Sequence, residues 1–141
     1  MFATMNNPTK AYAKVGIETG VEAASPARLI VMLYDGALLA IATAEGHMKE
    51  GRVPEKGKAV SHAIRIVSEG LRASLDFQAG SDLSEKLDAL YDYMEHRLMQ
   101  ANLQNEPAIL REVAGLLREL KGAWEEIADD SAAVAKNKAA A

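Results

Sequence analysis

The chain contains no cysteine. That excludes a disulfide framework, a thiolate zinc site and a thiol nucleophile, and it fits a reducing compartment. Basic residues are no more plentiful than acidic ones: 16 Lys and Arg stand against 20 Asp and Glu, a net charge of −4. No basic run of any length breaks that balance. A phosphate-neutralising surface is therefore not expected, and nucleic acid is excluded as a partner. Long apolar runs are also missing. The longest, 29–33, ends at Tyr34 and Asp35, so no membrane insertion is expected. The opening residues MFATMNNPTK lack the apolar centre of a signal peptide. Period-two alternation is absent over any useful length, which argues against strands.

What is present is helical spacing between clear punctuation marks. Pro26, Pro54 and Pro107 sit where helices begin, since proline is tolerated in a first turn. Ser25 is a good N-cap for the first of these. Gly80 ends one segment and Ser81 opens the next, with Glu85 near enough to support the first turn. Val60, Ile64, Val67, Leu71 and Leu75 follow steps of three and four. So do Leu83, Leu87, Leu90, Tyr91, Met94, Leu98 and Ala101, and then Ile109, Val113, Leu116, Leu120, Trp124 and Ile127. The reading is an all-α, antiparallel four-helix bundle with helices near 26–50, 54–78, 82–104 and 107–129. Residues 1–24 form a mobile segment with scattered apolar side chains, suited to shield a groove. Residues 130–141 form a flexible or short helical tail.

The first helix is too apolar for one buried face. The second and fourth carry extra apolar lines, including Ala63, Ile66, Gly70, Ala73 and Phe77, and Leu110, Ala114 and Leu117. Such breadth asks for cover from neighbouring helices, a second copy of the chain, or an amphipathic partner. A weak homodimer and a self-associating structural bundle both fit. Asp35 and Gly36 inside the first helix suggest close helix packing. Asp92 and Arg97 read as a brace, and Trp124 as core.

Catalytic and metal patterns are poor. None of His47, His62 and His96 has a carboxylate three residues before it, so the paired motif of a di-iron bundle is absent. Asp88, Asp92 and His96 share a face, which reads as solvated charge rather than a metal site. A histidine phosphotransfer bundle is a rival reading. His47 is followed by glycine at the fitting position, Gly51, but by Glu50 where that pattern has lysine. No cofactor and no enzymatic activity are expected.

The residues then show a resemblance. Ala24, Ser25, Pro26, Leu29 and the run from Met32 through Leu33, Tyr34, Asp35 and Gly36 to Ala37 form a first block. Ser74, Leu75 and Asp76 form a second. Leu90, Tyr91, Asp92, Tyr93, Met94, Arg97, Leu98, Ala101 and Asn102 form a third. Glu112, Val113, Leu116, Leu117, Glu119, Leu120, Ala123 and Trp124 form a fourth. In order and spacing these are similar to the FliS family of flagellar secretion chaperones, over residues 12–127. The resemblance implies a cytoplasmic, non-enzymatic bundle. It would hold the disordered C-terminal segment of flagellin in hydrophobic grooves, stop early polymerisation and assist delivery to the flagellar export gate. Tyr12, Ile17 and Thr19 match the family's N-terminal pattern. The expected flagellin contacts are Tyr12, Ile17, Leu29, Met32, Leu33, Ile66, Leu71, Leu75, Leu87, Tyr91 and Met94. Met32 and Met94 suit an adaptable surface because their side chains are flexible.

Overall fold

The computed structural model describes residues 25–78 and 81–140, without the side chains of Ser81 and 131–140. Four helices carry the fold: α1, Pro26–Lys49; α2, Val53–Arg65; α3, Ser81–Gln104; and α4, Pro107–Ala140. Each start follows from local chemistry. Ser25 Oγ accepts the Arg28 amide at 3.1 Å, and Pro26 fills the first turn of α1, where its missing N–H costs nothing. The connection from α1 to α2 turns on Gly51, whose φ of +71° suits a residue without Cβ. There the Arg52 amide donates to His47 O at 3.0 Å and the Gly51 amide to Met48 O at 3.3 Å, which satisfies the last carbonyls of α1.

Ion pairs fix the antiparallel register. Arg28 meets Asp129, Lys121 meets Asp35 and Arg111 meets Glu45, so the numbers climb along α1 as they fall along α4. Asp35, odd within an apolar helix, thus has a partner at 2.6 Å, which holds the Lys121 pKa above its ordinary value. By length and composition α1 could cross a membrane, contrary to the expectation from sequence. The structure uses that apolar surface otherwise: more than half of the stretch is buried inside the bundle, against α2 and α4.

Two helices depart from the sequence reading. α2 is α-helical only as far as Arg65. It then widens into a π-helix, Ile66–Leu71, and tightens into a 3₁₀ turn, Arg72–Ser74. The wider winding turns Ile66, Val67, Gly70 and Leu71 all inward. A Cβ on Gly70 would lie 3.0 Å from Leu33 Cδ2, so glycine lets α1 and α2 close together there. α4, for its part, runs on to Ala140, through the segment read as a flexible or short helical tail. At 34 residues it is about 51 Å long, against about 36 Å for the 24-residue α1 and α3. The N-terminal residues 1–24 lie outside the described residues.

A buried cation locks the turn end of the bundle. Lys56, 7% exposed, donates to Asn102 O at 3.0 Å and to Asn105 Oδ1 at 3.1 Å. Asn105 sits in the left-handed region at φ +52°, and the Glu106 amide donates to Ala101 O at 3.0 Å. Lys56 thus caps α3 from a neighbouring helix, at the carbonyl end where the dipole favours positive charge. Lys56→Met keeps much of the apolar bulk but leaves both acceptors unanswered. It is expected to cost roughly 1–3 kcal/mol in urea denaturation.

Candidate docking surface

At the centre of the bundle lies a polar knot. The hydroxyls of Tyr34 on α1 and Tyr91 on α3 are 2.5 Å apart, both fully buried. The Trp124 indole of α4 lies near the same Tyr34 hydroxyl. Burial pushes the Tyr34 pKa up to about 12, and its hydrogen bonds to Tyr91 and Trp124 offset only part of that. Burial raises Tyr91 as well, helped by the neighbouring Tyr34. The knot ties three helices together but opens to no ligand.

Most of the residues expected to meet a client lie in this same interior. Leu29, Leu33, Ile66, Leu71, Leu75, Leu87, Tyr91 and Met94 are all buried in the core cluster. Within the bundle these eight therefore belong to the core, and any contact they make with a client would need their cover to move. Met32 alone among the nine described candidates keeps a partly exposed side chain. Tyr12 and Ile17 lie outside the described residues. The cause is geometric: these eight occupy the middle of each apolar stripe, and a groove must use the stripe's flank.

That flank is exposed between α3 and α4. Glu112 of α4 accepts from Tyr93 Oη and, at 2.8 Å, from Arg97 Nε, both on α3. The Tyr93 and Arg97 bonds hold the Glu112 carboxyl below its usual range, and the Glu112 bond raises the Tyr93 phenol. Arg97 therefore braces α4 through Glu112, not α3 through Asp92. From this anchor the antiparallel register carries Leu90 alongside Leu116 and Leu120, and Leu83 towards Ile127. Leu90, Leu116, Leu120 and Ile127 are half-buried against the core, while Leu83 is 41% exposed. The result is an apolar strip about 15 Å long on α3, closed at one end by the Tyr93, Arg97 and Glu112 cluster. A second apolar patch lies on the outer face of α1, where Met32 is half-exposed and Leu39 is 70% exposed.

The charged face of α3 has a different task. Arg72 Nε reaches Asp88 at 2.5 Å, and Arg72 Nη1 reaches Asp92 at 3.1 Å and Glu95 at 3.0 Å. These bonds, Asp88 foremost, raise the guanidinium pKa further. His96 Nδ1 lies 2.8 Å from the backbone oxygen of Asp92. The acids that share a face with His96 are thus engaged by an arginine. Among the described residues no group of three His, Cys, Asp or Glu side chains could hold a metal ion. His47 lies half-buried, two residues before the end of α1.

With this geometry in view, the family comparison is decisive. A family described as flagellar protein FliS matches residues 7–131. The chain belongs to the FliS family. It is 47% identical over 118 residues to the flagellar secretion chaperone FliS of Salmonella typhimurium, covering 84% of this chain and 87% of that one. It is 44% identical to the flagellar secretion chaperone FliSB of Pseudomonas aeruginosa, over 84% and 93% of the two chains. The flagellar secretion chaperone FliS of Bacillus subtilis is 31% identical, with 86% of each covered. The four sequence blocks that suggested FliS now have structural roles. Ser25 and Pro26 start α1, Tyr34 and Tyr91 make the buried knot, Arg97 and Glu112 set the register of α3 on α4, and Trp124 closes the core.

Proposed function

We propose that this FliS protein holds the disordered C-terminal region of flagellin along exposed apolar strips of the bundle, chiefly the one between α3 and α4. It thereby prevents premature polymerisation in the cytoplasm and hands its client to the flagellar export gate. The observation that carries this reading is the α3–α4 strip: adjacent apolar side chains, half-covered by the bundle, on a chain of the FliS family. Its shape suits an amphipathic segment that becomes helical on contact. Ordering such a segment costs roughly 2–5 kcal/mol or more. Each large apolar anchor returns about 1.5–3 kcal/mol when fully buried. Two or three anchors therefore bind a client without making it hard to release.

Light scattering by polymerising flagellin tests this directly. An equimolar amount of the protein is expected to suppress growth of the signal. Leu83→Asp alters an exposed position, so helicity by circular dichroism should stay as it is. Its affinity for the flagellin C-terminal segment should fall by roughly tenfold or more, the equivalent of one lost anchor. Leu39→Asp, on the α1 patch, serves as the counterpart. If Leu39→Asp weakens binding and Leu83→Asp does not, the client lies on α1 and the α3–α4 assignment fails.

A further inference from the structure

The last part of α2 is built differently from every other helical segment described. Within 22 residues it passes from α-helix to π-helix to 3₁₀ turn. At each join the backbone ladder changes its step, and the 3₁₀ turn has poorer hydrogen-bond geometry than an α-helix. Gly70 adds conformational freedom at the centre, and its approach to Leu33 leaves little space for a stiffer residue. Ser74 Oγ lies 2.6 Å from Gly70 O and donates to it. The chain then leaves the helix through an Asx turn, with the Gln78 amide on Asp76 Oδ1 at 3.0 Å. Ser84 Oγ holds Asp76 O at 2.8 Å. Phe77 stands half out of the surface beside a shallow depression lined by Leu75, Asp76, Phe77 and Gln78.

Besides the Ser84 bond, an ion-pair network ties this segment to α3. Arg72, in the 3₁₀ turn, holds Asp88, Asp92 and Glu95 of α3 at once. All four groups retain solvent contact, so the tether is open to screening by salt. Directly beneath lie Leu71 and Leu75, with Leu87 in the same core cluster. We infer that residues 71–78 form a flap hinged on the π-helix and latched by Arg72, and that the flap opens as a unit to uncover Leu71, Leu75 and Leu87 while the rest of the bundle stays closed. The opening stands apart from the client reading; only its use, to enlarge the apolar surface offered to flagellin, rests on that reading.

The absence of cysteine makes the test clean. Leu75→Cys and Val113→Cys each give a full-length chain with a single thiol, one under the flap and one fully buried on α4. Labelling with a thiol reagent is expected to be at least about tenfold faster at position 75, because local opening needs less than global unfolding. Adding Arg72→Gln, or raising salt to about 1 M where the screening length is ~3 Å, should speed labelling at 75 but not at 113. The expected gain is roughly three- to tenfold, the scale of a partly exposed ion-pair network. Should Leu75→Cys not fold, hydrogen exchange on the otherwise unaltered chain decides. The amides of 71–78 should exchange faster than those of 90–101, and Arg72→Gln should accelerate only the former. Equal rates in the two regions overturn the flap. Rates at 71–78 that ignore both salt and Arg72→Gln overturn the latch. Adding the flagellin segment is a separate arm: an unchanged flap with bound client would remove its use in binding but not the flap itself.

Discussion

Trp124→Ala is expected to lower the stability of the bundle by about 3–5 kcal/mol, the cost of an unfilled aromatic cavity. Trp124 is 6% exposed and sits in the core cluster with α1 and α3 residues. Truncation removes its packing and also one of the two contacts on the Tyr34 hydroxyl. At this chain length, each kcal/mol moves the melting temperature by roughly 2–4 °C or a little more, so a fall on the order of 10 °C should be seen. Trp124→Phe separates the two parts. It retains most of the apolar volume but not the N–H, and should lose roughly a third of that stability or less. A melting temperature unchanged by Trp124→Ala would place Trp124 on the surface and contradict the arrangement of α4.

Alkaline unfolding gives the second large effect. Tyrosines in an unfolded chain ionise near ~10. Burial takes Tyr34 up to about 12 in the folded protein and raises Tyr91 also. Both are groups whose folded pKa is raised. Their contribution to stability is therefore complete below about pH 10 and is lost as pH climbs through the folded values. For Tyr34 alone the loss approaches roughly 2–3 kcal/mol by pH ~12, at about 1.36 kcal/mol per unit. Tyr91, buried beside it and coupled to it, adds to the same transition. Tyrosinate absorbance and helicity should thus change together for these two residues. The double variant Tyr34→Phe with Tyr91→Phe should move the helical transition to higher pH. Full tyrosinate formation with helicity intact would show that the pair is not sealed in the core.

The two expectations rest on residues that the sequence exposed to different degrees. Proline at 26 and 107 and serine at 81 mark the starts of α1, α4 and α3 because proline and capping chemistry act locally. Trp124 was legible as core because its stripe is unbroken. The π-helix after Arg65 was not legible. A periodic row such as Val60, Ile64, Val67 and Leu71 looks the same either way. Lys56 was equally silent. A lysine in a helix normally signals solvent, and its role as a cap appears only when α3 ends beside it.

Apolar excess beyond one face asks for cover, and the residues chosen for that surface from the sequence are mostly the central ones of their stripes. Leu33, Ile66, Tyr91 and Met94 are the best knobs on their stripes and so pack into the core. Leu83, Leu116, Leu120 and Ile127 lie at the stripe's edge, where a side chain is half-covered by its neighbours. Only the partner helix's register, set by Glu112 with Tyr93 and Arg97, reveals that edge. The Arg72 latch was hidden for the same reason: Asp88 and Asp92 look like a solvated face until α2 supplies the arginine.

Titration calorimetry of the full chain with the C-terminal segment of flagellin from the same organism tests the central claim most directly. The account predicts one-to-one binding with a large negative heat-capacity change, the mark of apolar surface leaving water as a disordered segment folds. It also predicts that Leu83→Asp weakens that binding while the bundle keeps its helicity. A chain that is folded, as judged by circular dichroism, yet gives no binding to this segment would contradict the flagellin reading and leave family membership and fold as all that the apolar strip reflects.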